Sequence, residues 1–244
     1  MRRPGPSIGE KVNFETPLLC GRFVRRYKRF FADIVLASGE EITAHTPNTG
    51  TLLTCTEPDS RAYVSLSDNP KRKLKYTWEI AEAGGVLVGV HTGRANGLAQ
   101  EAVEAGVIPE LSGYESLRRE VKYGRNSRID LLLESPRRPP CYVEVKNVTL
   151  GRGGRALFPD AVTARGTKHL NELMDVVARG ERAAMLFVVQ REDCRVMEPA
   201  DDIDPLYGRT LREAAATGVE LLAYRAQVSP RELRLERPLP VVLP

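Results

Sequence analysis

Several things are missing from this chain of 244 residues, and each absence narrows what it can be. No apolar run approaches the roughly 20 residues that a membrane-spanning helix needs. The opening MRRPGPSIGEK carries cations but no apolar stretch behind them, so it does not read as a secretory leader. A cytoplasmic protein with no membrane partner is the expectation. The four cysteines (Cys20, Cys55, Cys141, Cys194) lie far apart with no C-x-x-C pair, and the three histidines are His45, His91 and His169. That set argues against zinc and for reduced thiols. GRGGR at 151–155 lacks the Lys-Ser/Thr of a P-loop, so nucleotide binding is not expected and the segment reads as a mobile connector. No internal repeat is visible.

Charge is not strongly one-sided, with 36 Lys and Arg against 32 Asp and Glu. The excess of +4 suits a nucleic-acid partner without identifying one. Its distribution says more. RFVRRYKR at 22–29 packs five cations between aromatic and apolar residues, and KRKLK at 71–75 adds four. Arg22, Arg25, Arg26, Lys28 and Arg29 could follow a phosphate backbone while exposed rings stack on bases. Equally, the aromatics could be core and the cations a solvated face. For Phe23, Phe30 and Phe31 the core is the better expectation.

After a loose lead-in, short strand-like segments follow one another at Leu18–Tyr27, Phe30–Ala37, Glu41–His45, Ala62–Leu66, Lys75–Glu82 and Val86–His91. Such spacing, with no long helix between, predicts a small barrel or sandwich. The character changes near Thr92. Helical spacing over 96–105 leads to strands at 127–134 and 141–150, and Asp160 is placed to cap a helix running to about Arg179. A buried strand at 183–190, a helix opened by Asp204 or Pro205, and a strand from Val219 complete an α/β order.

Asp130 followed by Glu144-Val145-Lys146 is the pattern richest in chemistry. Residues two apart on a strand share a face, so Glu144 and Lys146 should stand side by side. Asp130 on a neighbouring strand would complete an oxygen-rich site for a hard cation such as Mg²⁺. Such a site suits phosphodiester hydrolysis, with Lys146 orienting water or offsetting charge on phosphorus. Glu120, read as lying in a helix, is a further candidate acid. Lys168 and His169, on the helix that follows, are second-tier phosphate contacts. A surface hairpin carrying a solvated Glu–Lys pair would show the same short pattern.

LLCGRFVRRYKRF (18–30), AHTPNTGTL (44–52), SRIDLLLE (127–134), CYVEVKNVTL (141–150) and FPDAVTARGTKHLNEL (158–173) together resemble the sugar fermentation stimulation protein A family. The resemblance covers about residues 12–227. It implies a mixed α/β protein: an OB-fold-like, nucleic-acid-binding barrel over 1–85 and a PD-(D/E)XK, restriction-endonuclease-like α/β domain over 86–244. It also implies a DNA-binding protein linked by name to the regulation of sugar use. The nuclease pattern would fall on Asp130, Glu144 and Lys146 as catalytic residues, with Glu120 as the helix acid and Mg²⁺ or Mn²⁺ held by Asp130 and Glu144. Ile129 stands where the literal pattern has proline. A nuclease-like fold can also serve binding alone, which leaves a non-catalytic DNA-binding regulator as the alternative. A homo-oligomer is compatible with the sequence.

Overall fold

The computed structural model describes residues 12–14, 16–124 and 127–244. Nearly all of the expected loose lead-in lies outside the described residues. The described chain begins with β1 (Val12–Asn13). It then forms β2 (Leu19–Tyr27), β3 (Phe31–Leu36), β4 (Glu41–His45), β5 (Arg61–Leu66), β6 (Tyr76–Ala83) and β7 (Val86–Gly89). Strands β2 to β7 make one sheet in the order β4-β3-β2-β5-β6-β7, and a parallel pairing of β4 with β6 closes five of them into an OB-like barrel. Alternation drives the closure. In β3, Ala32, Ile34 and Leu36 point inward while Phe31, Asp33 and Val35 are half-buried. Phe23 stacks on Trp78 at 4.9 Å between centroids, both fully buried. Phe30 departs from the expected core and is 43% exposed at the β2–β3 tip.

The second unit contains α1 (Gly93–Glu104), β8 (Ser116–Tyr123), β9 (Ser127–Ser135), β10 (Arg138–Val148), β11 (Leu150–Arg152) and β12 (Arg155–Phe158). It continues through α2 (Ala164–Ala178), β13 (Arg182–Val189), β14 (Val196–Pro199), α3 (Pro205–Thr217), β15 (Glu220–Val228) and β16 (Glu232–Leu239). Its main sheet runs β1-β16-β15-β13-β10-β9-β8, with β10, β13 and β15 parallel at the centre. Parallel neighbours need long crossovers, which here carry α2 and α3. Leu131, Val143, Val145, Leu186 and Val188 pack on the α1 face. Leu132, Met185, Phe187 and Val189 pack under α2 and α3. No helix among the described residues is long and apolar enough to cross a membrane.

Several sequence expectations need correction. β7 pairs with β6, so the barrel sheet reaches Gly89 instead of stopping at residue 85. β1 pairs with β16, so the start of the described chain belongs to the C-terminal sheet. GRGGR is no loose connector but the β11–β12 hairpin, turned by Gly153 and Gly154 at positive φ. Helix α2 starts at Ala164, capped by Thr163 Oγ1 accepting from the Gly166 amide at 3.0 Å. Helix α3 follows its expected cap, with Asp204 Oδ1 accepting from the Tyr207 amide at 3.0 Å.

The two units share one interior. Ile80 of β6 belongs to the same buried cluster as Leu98 and Ala102 of α1, and Tyr63 and Leu87 pack against it. Buried Glu79 of β6 receives Arg94 of α1 through bonds of 2.9 and 3.1 Å. Buried Arg191 bonds Thr54 in a barrel loop at 3.2 Å, the Thr149 carbonyl at 2.8 Å, and both oxygens of Asp193.

Candidate functional site

The β9–β10 ladder ends at the pair Leu131–Val143. Beyond it the Val145 amide donates to Asp130 Oδ2 at 2.7 Å, a side chain replacing a strand neighbour. Asp130 Oδ1 accepts from Asn96 Nδ2 of α1 at 2.8 Å. The carboxylate is thus gripped from two elements at the point where the strands part. On the next residues of β10, Lys146 Nζ donates to Glu144 Oε1 at 2.6 Å, the side-by-side arrangement that strand alternation requires.

His169 of α2 reaches the same atom: its Nδ1 bonds Glu144 Oε1 and lies 3.3 Å from Lys146 Nζ. Arg165 Nε donates to His169 Nε2 at 3.3 Å. Arginine has no acceptor, so Nε2 accepts and Nδ1–H is left to donate to Glu144. Glu144 is 2% exposed and His169 4%. The second oxygen, Glu144 Oε2, is buried and finds no hydrogen-bond partner among the described residues.

Electrostatics divides the two acids. Burial, then the neighbouring Glu144 charge, pushes Asp130 up to about 6, against which its hydrogen bonds and Lys146 only partly act. Burial would raise Glu144 too, but the His169 hydrogen bond and the Lys146 charge outweigh it and hold Glu144 below its ordinary value. Two acids that oppose each other's ionisation, one with an unsatisfied oxygen, fit a hard cation. No cluster of three or more His, Cys, Asp or Glu placed to hold a metal occurs among the described residues, so the protein would supply few of such an ion's ligands.

All four groups line a cavity of about 460 Å³ between the units. Asn48, Thr49 and Gly50 from the barrel and the 158–163 segment before α2 complete much of its lining. Asp160 fastens these two stretches together. Its Oδ2 accepts from the Leu52 amide at 2.9 Å, and its carbonyl accepts from Thr51 Oγ1 at 2.6 Å. It is an inter-unit clasp, not a helix cap, and a Cβ on Gly50 would run into its carboxylate.

The remaining candidates separate. Glu120 lies on β8, exposed and at positive φ, and does not line the cavity. The helix expected around it is instead a strand, since β8 pairs along its length with β9. Arg26 turns inward, donating to the carbonyls of Asn48 at 2.7 Å, Gly50 at 2.8 Å and Thr51 at 3.0 Å. It shapes the cavity wall and is not free to follow phosphates. Arg22 pairs with Asp59, and Arg25 with Asp33 at 2.8 Å, both at the surface. Lys28 and Arg29 are exposed at the hairpin tip. Lys168 faces away from the cavity, bonding Ser127 Oγ at 3.1 Å and approaching Glu172 at 3.6 Å. A groove lined by Arg25, Tyr27, Lys28 and Arg29 shares Thr49, Gly50 and Ala161 with the cavity. Asn96 went unnoticed in the sequence. His169 belongs to the site more firmly than a second-tier phosphate contact would, since its spacing from Leu173 and Val176 sets it on the buried stripe of α2.

Residues 93–232 match the model of the sugar fermentation stimulation protein RE domain, and residues 24–90 that of the SfsA N-terminal OB domain. The chain belongs to the sugar fermentation stimulation protein (SfsA) family. Among SfsA relatives, a sugar fermentation stimulation protein homolog of Maricaulis maris is 61% identical, over 95% of this chain and 99% of its own length. One from Geobacter sulfurreducens is 57% identical, covering 93% and 97%. The structure of Pyrococcus furiosus SfsA in complex with Ca²⁺ superposes with a TM-score of 0.85 at 28% identity, covering 96% of this chain and 99% of that one. The barrel followed by a sheet-rich α/β domain is therefore the SfsA architecture.

Proposed function

We infer that this SfsA-family protein is a cytoplasmic DNA-binding protein that hydrolyses a phosphodiester at the Asp130–Glu144–Lys146 site. Asp130 and Glu144 would hold a divalent cation, Mg²⁺ or Mn²⁺. The observation that carries this reading is the unpartnered, buried Glu144 Oε2 beside an acid whose ionisation Glu144 opposes. A Ca²⁺ complex of a related SfsA supports a hard divalent ion in this family. When bound, such an ion lowers the pKa of a water and withdraws charge from a phosphate oxygen.

The chain's own residues do the rest. Asn96 and the Val145 amide fix both oxygens of Asp130. His169 and Lys146 fix Glu144 Oε1, which leaves Oε2 for the ligand. Lys146 Nζ, held inside the cavity, can also donate to the attacking water or to a phosphate oxygen as charge grows on it. Attack of the water oxygen on phosphorus breaks the bond to the leaving sugar oxygen, which takes up a proton.

The test is incubation of the purified protein with single- and double-stranded DNA in Mg²⁺, Mn²⁺ or EDTA. Cleavage should require metal and fall by at least about a hundredfold in Glu144→Ala and Lys146→Ala. No cleavage of any substrate, with DNA binding intact in both variants, would sink the catalytic reading and leave a DNA-binding regulator.

A further inference from the structure

Resting on the phosphodiesterase reading of the cavity, we propose that the strand entering it is an unpaired one. The substrate class is single-stranded DNA or a frayed or overhanging end, and not the interior of a continuous duplex. Three separate features point this way.

The first is depth. Glu144 and His169 are almost wholly buried, and the Lys146 side chain is 13% exposed, so the reacting phosphate must come into the cavity. A volume of about 460 Å³ sits low in the range of small-molecule pockets, about 300–1,000 Å³, and holds on the order of one nucleotide unit. A B-form duplex, whose major groove alone is about 12 Å wide, cannot follow its phosphate inside.

The second is the fixed width of the cleft. The Asp160 clasp joins the barrel loop to the segment before α2, both of which contribute lining to the cavity, and a shared buried cluster ties the units together. Widening the cleft for a duplex would break both bonds and part a packed interior. A single strand, with free torsions in its backbone, needs no such widening.

The third is the approach. The groove that shares Thr49, Gly50 and Ala161 with the cavity carries Tyr27, whose ring stacks on Phe31 at 5.4 Å between centroids and has the Arg25 guanidinium 5.1 Å from its own centroid. Lys28 and Arg29 flank it, and Phe30 is exposed at the same tip. Aromatic faces interleaved with cations hold unpaired bases by stacking and the backbone by charge. In a continuous duplex the base faces are already stacked on one another and unavailable.

Val162 is 77% exposed and lines the cavity, so it is a place for a probe. A photo-crosslinker on Val162→Cys in the full chain, in EDTA, should capture a single-stranded oligonucleotide and the overhang of a tailed duplex. It should capture the blunt duplex of the same sequence at least about tenfold less. Tyr27→Ala should lower single-strand affinity by about fivefold or more in fluorescence anisotropy, with duplex affinity little changed. Equal capture of blunt duplex, or metal-dependent cuts inside it, would overturn the proposal. Capture confined to unpaired strands, with no cleavage in any metal, would uphold strand entry and refute the phosphodiesterase reading alone.

Discussion

Asp130→Asn should make the metal-free protein more stable at neutral and alkaline pH. The reason lies in the environment that pushes the Asp130 carboxyl from 3.8 to about 6. Below the ordinary carboxyl pKa both folded and unfolded chains hold the proton, and the site costs nothing. As pH rises through the window from 3.8 to about 6, the folded chain must give up that proton against burial and the Glu144 charge, and stability falls. At about 1.4 kcal/mol per pH unit, the full loss is about 3 kcal/mol, a large share of the 5–15 kcal/mol typical of a folded protein. The substitution keeps the geometry. The new amide oxygen accepts from the Val145 amide, and its NH₂ donates to Asn96 once that side chain turns over its own amide. Urea unfolding in EDTA should therefore show the variant about 2 to 3 kcal/mol more stable than the parent at about pH 8, with the gap closing toward about pH 4. Excess Mg²⁺ should then stabilise the parent and leave the variant unchanged. A variant less stable at pH 8, or a gap that ignores pH, would refute the account of the site as two acids in electrostatic conflict.

Other outcomes follow from the same geometry. Arg25→Ala or Lys28→Ala should each reduce the slope of log affinity for DNA against log salt by up to about 0.9, whereas Arg26→Ala should leave the slope unchanged. Arg26→Ala should instead cost about 1 to 3 kcal/mol in unfolding, because two partly buried carbonyls and one exposed carbonyl lose a charged donor. Gly50→Ala should destabilise the parent but do so much less in an Asp160→Ala background, since the added methyl meets that carboxylate. Equal costs in both backgrounds, read by thermal melting, would mean the clasp is not what Gly50 accommodates.

Where local pattern and final environment agree, the chain was readable. Inward alternation in β3 and the apolar run Ala183–Val189 drew a barrel and a parallel centre, because burial alternates on a strand covered on one face and is continuous on a strand covered on both. Glu144 and Lys146 were legible for the same reason. Asp160 misled because an acid just before a helical pattern is ordinarily a cap, and here its oxygen is taken by an amide 108 residues earlier. Arg26 misled because one cation of a basic run turns toward carbonyls about 22 to 25 residues on, a choice that no spacing encodes. His169 could have been found from its place among Leu170, Leu173 and Val176, where a titratable group needs a partner. Asn96 carried no such sign, since its role exists only once α1 lies across the parted strands.

The joint between barrel and sheet has a mechanical consequence. With Ile80 and Leu98 in one cluster, and Arg94 and Arg191 anchored across the boundary, the halves resemble a single casting more than two beads on a string. A gene cut near residue 90 would leave each fragment with a greasy, charged scar, and strand β1 would be severed from the sheet it edges. Melting should accordingly be one cooperative event, and a ligand that tightens either wall of the cleft will be felt as stiffness throughout the other.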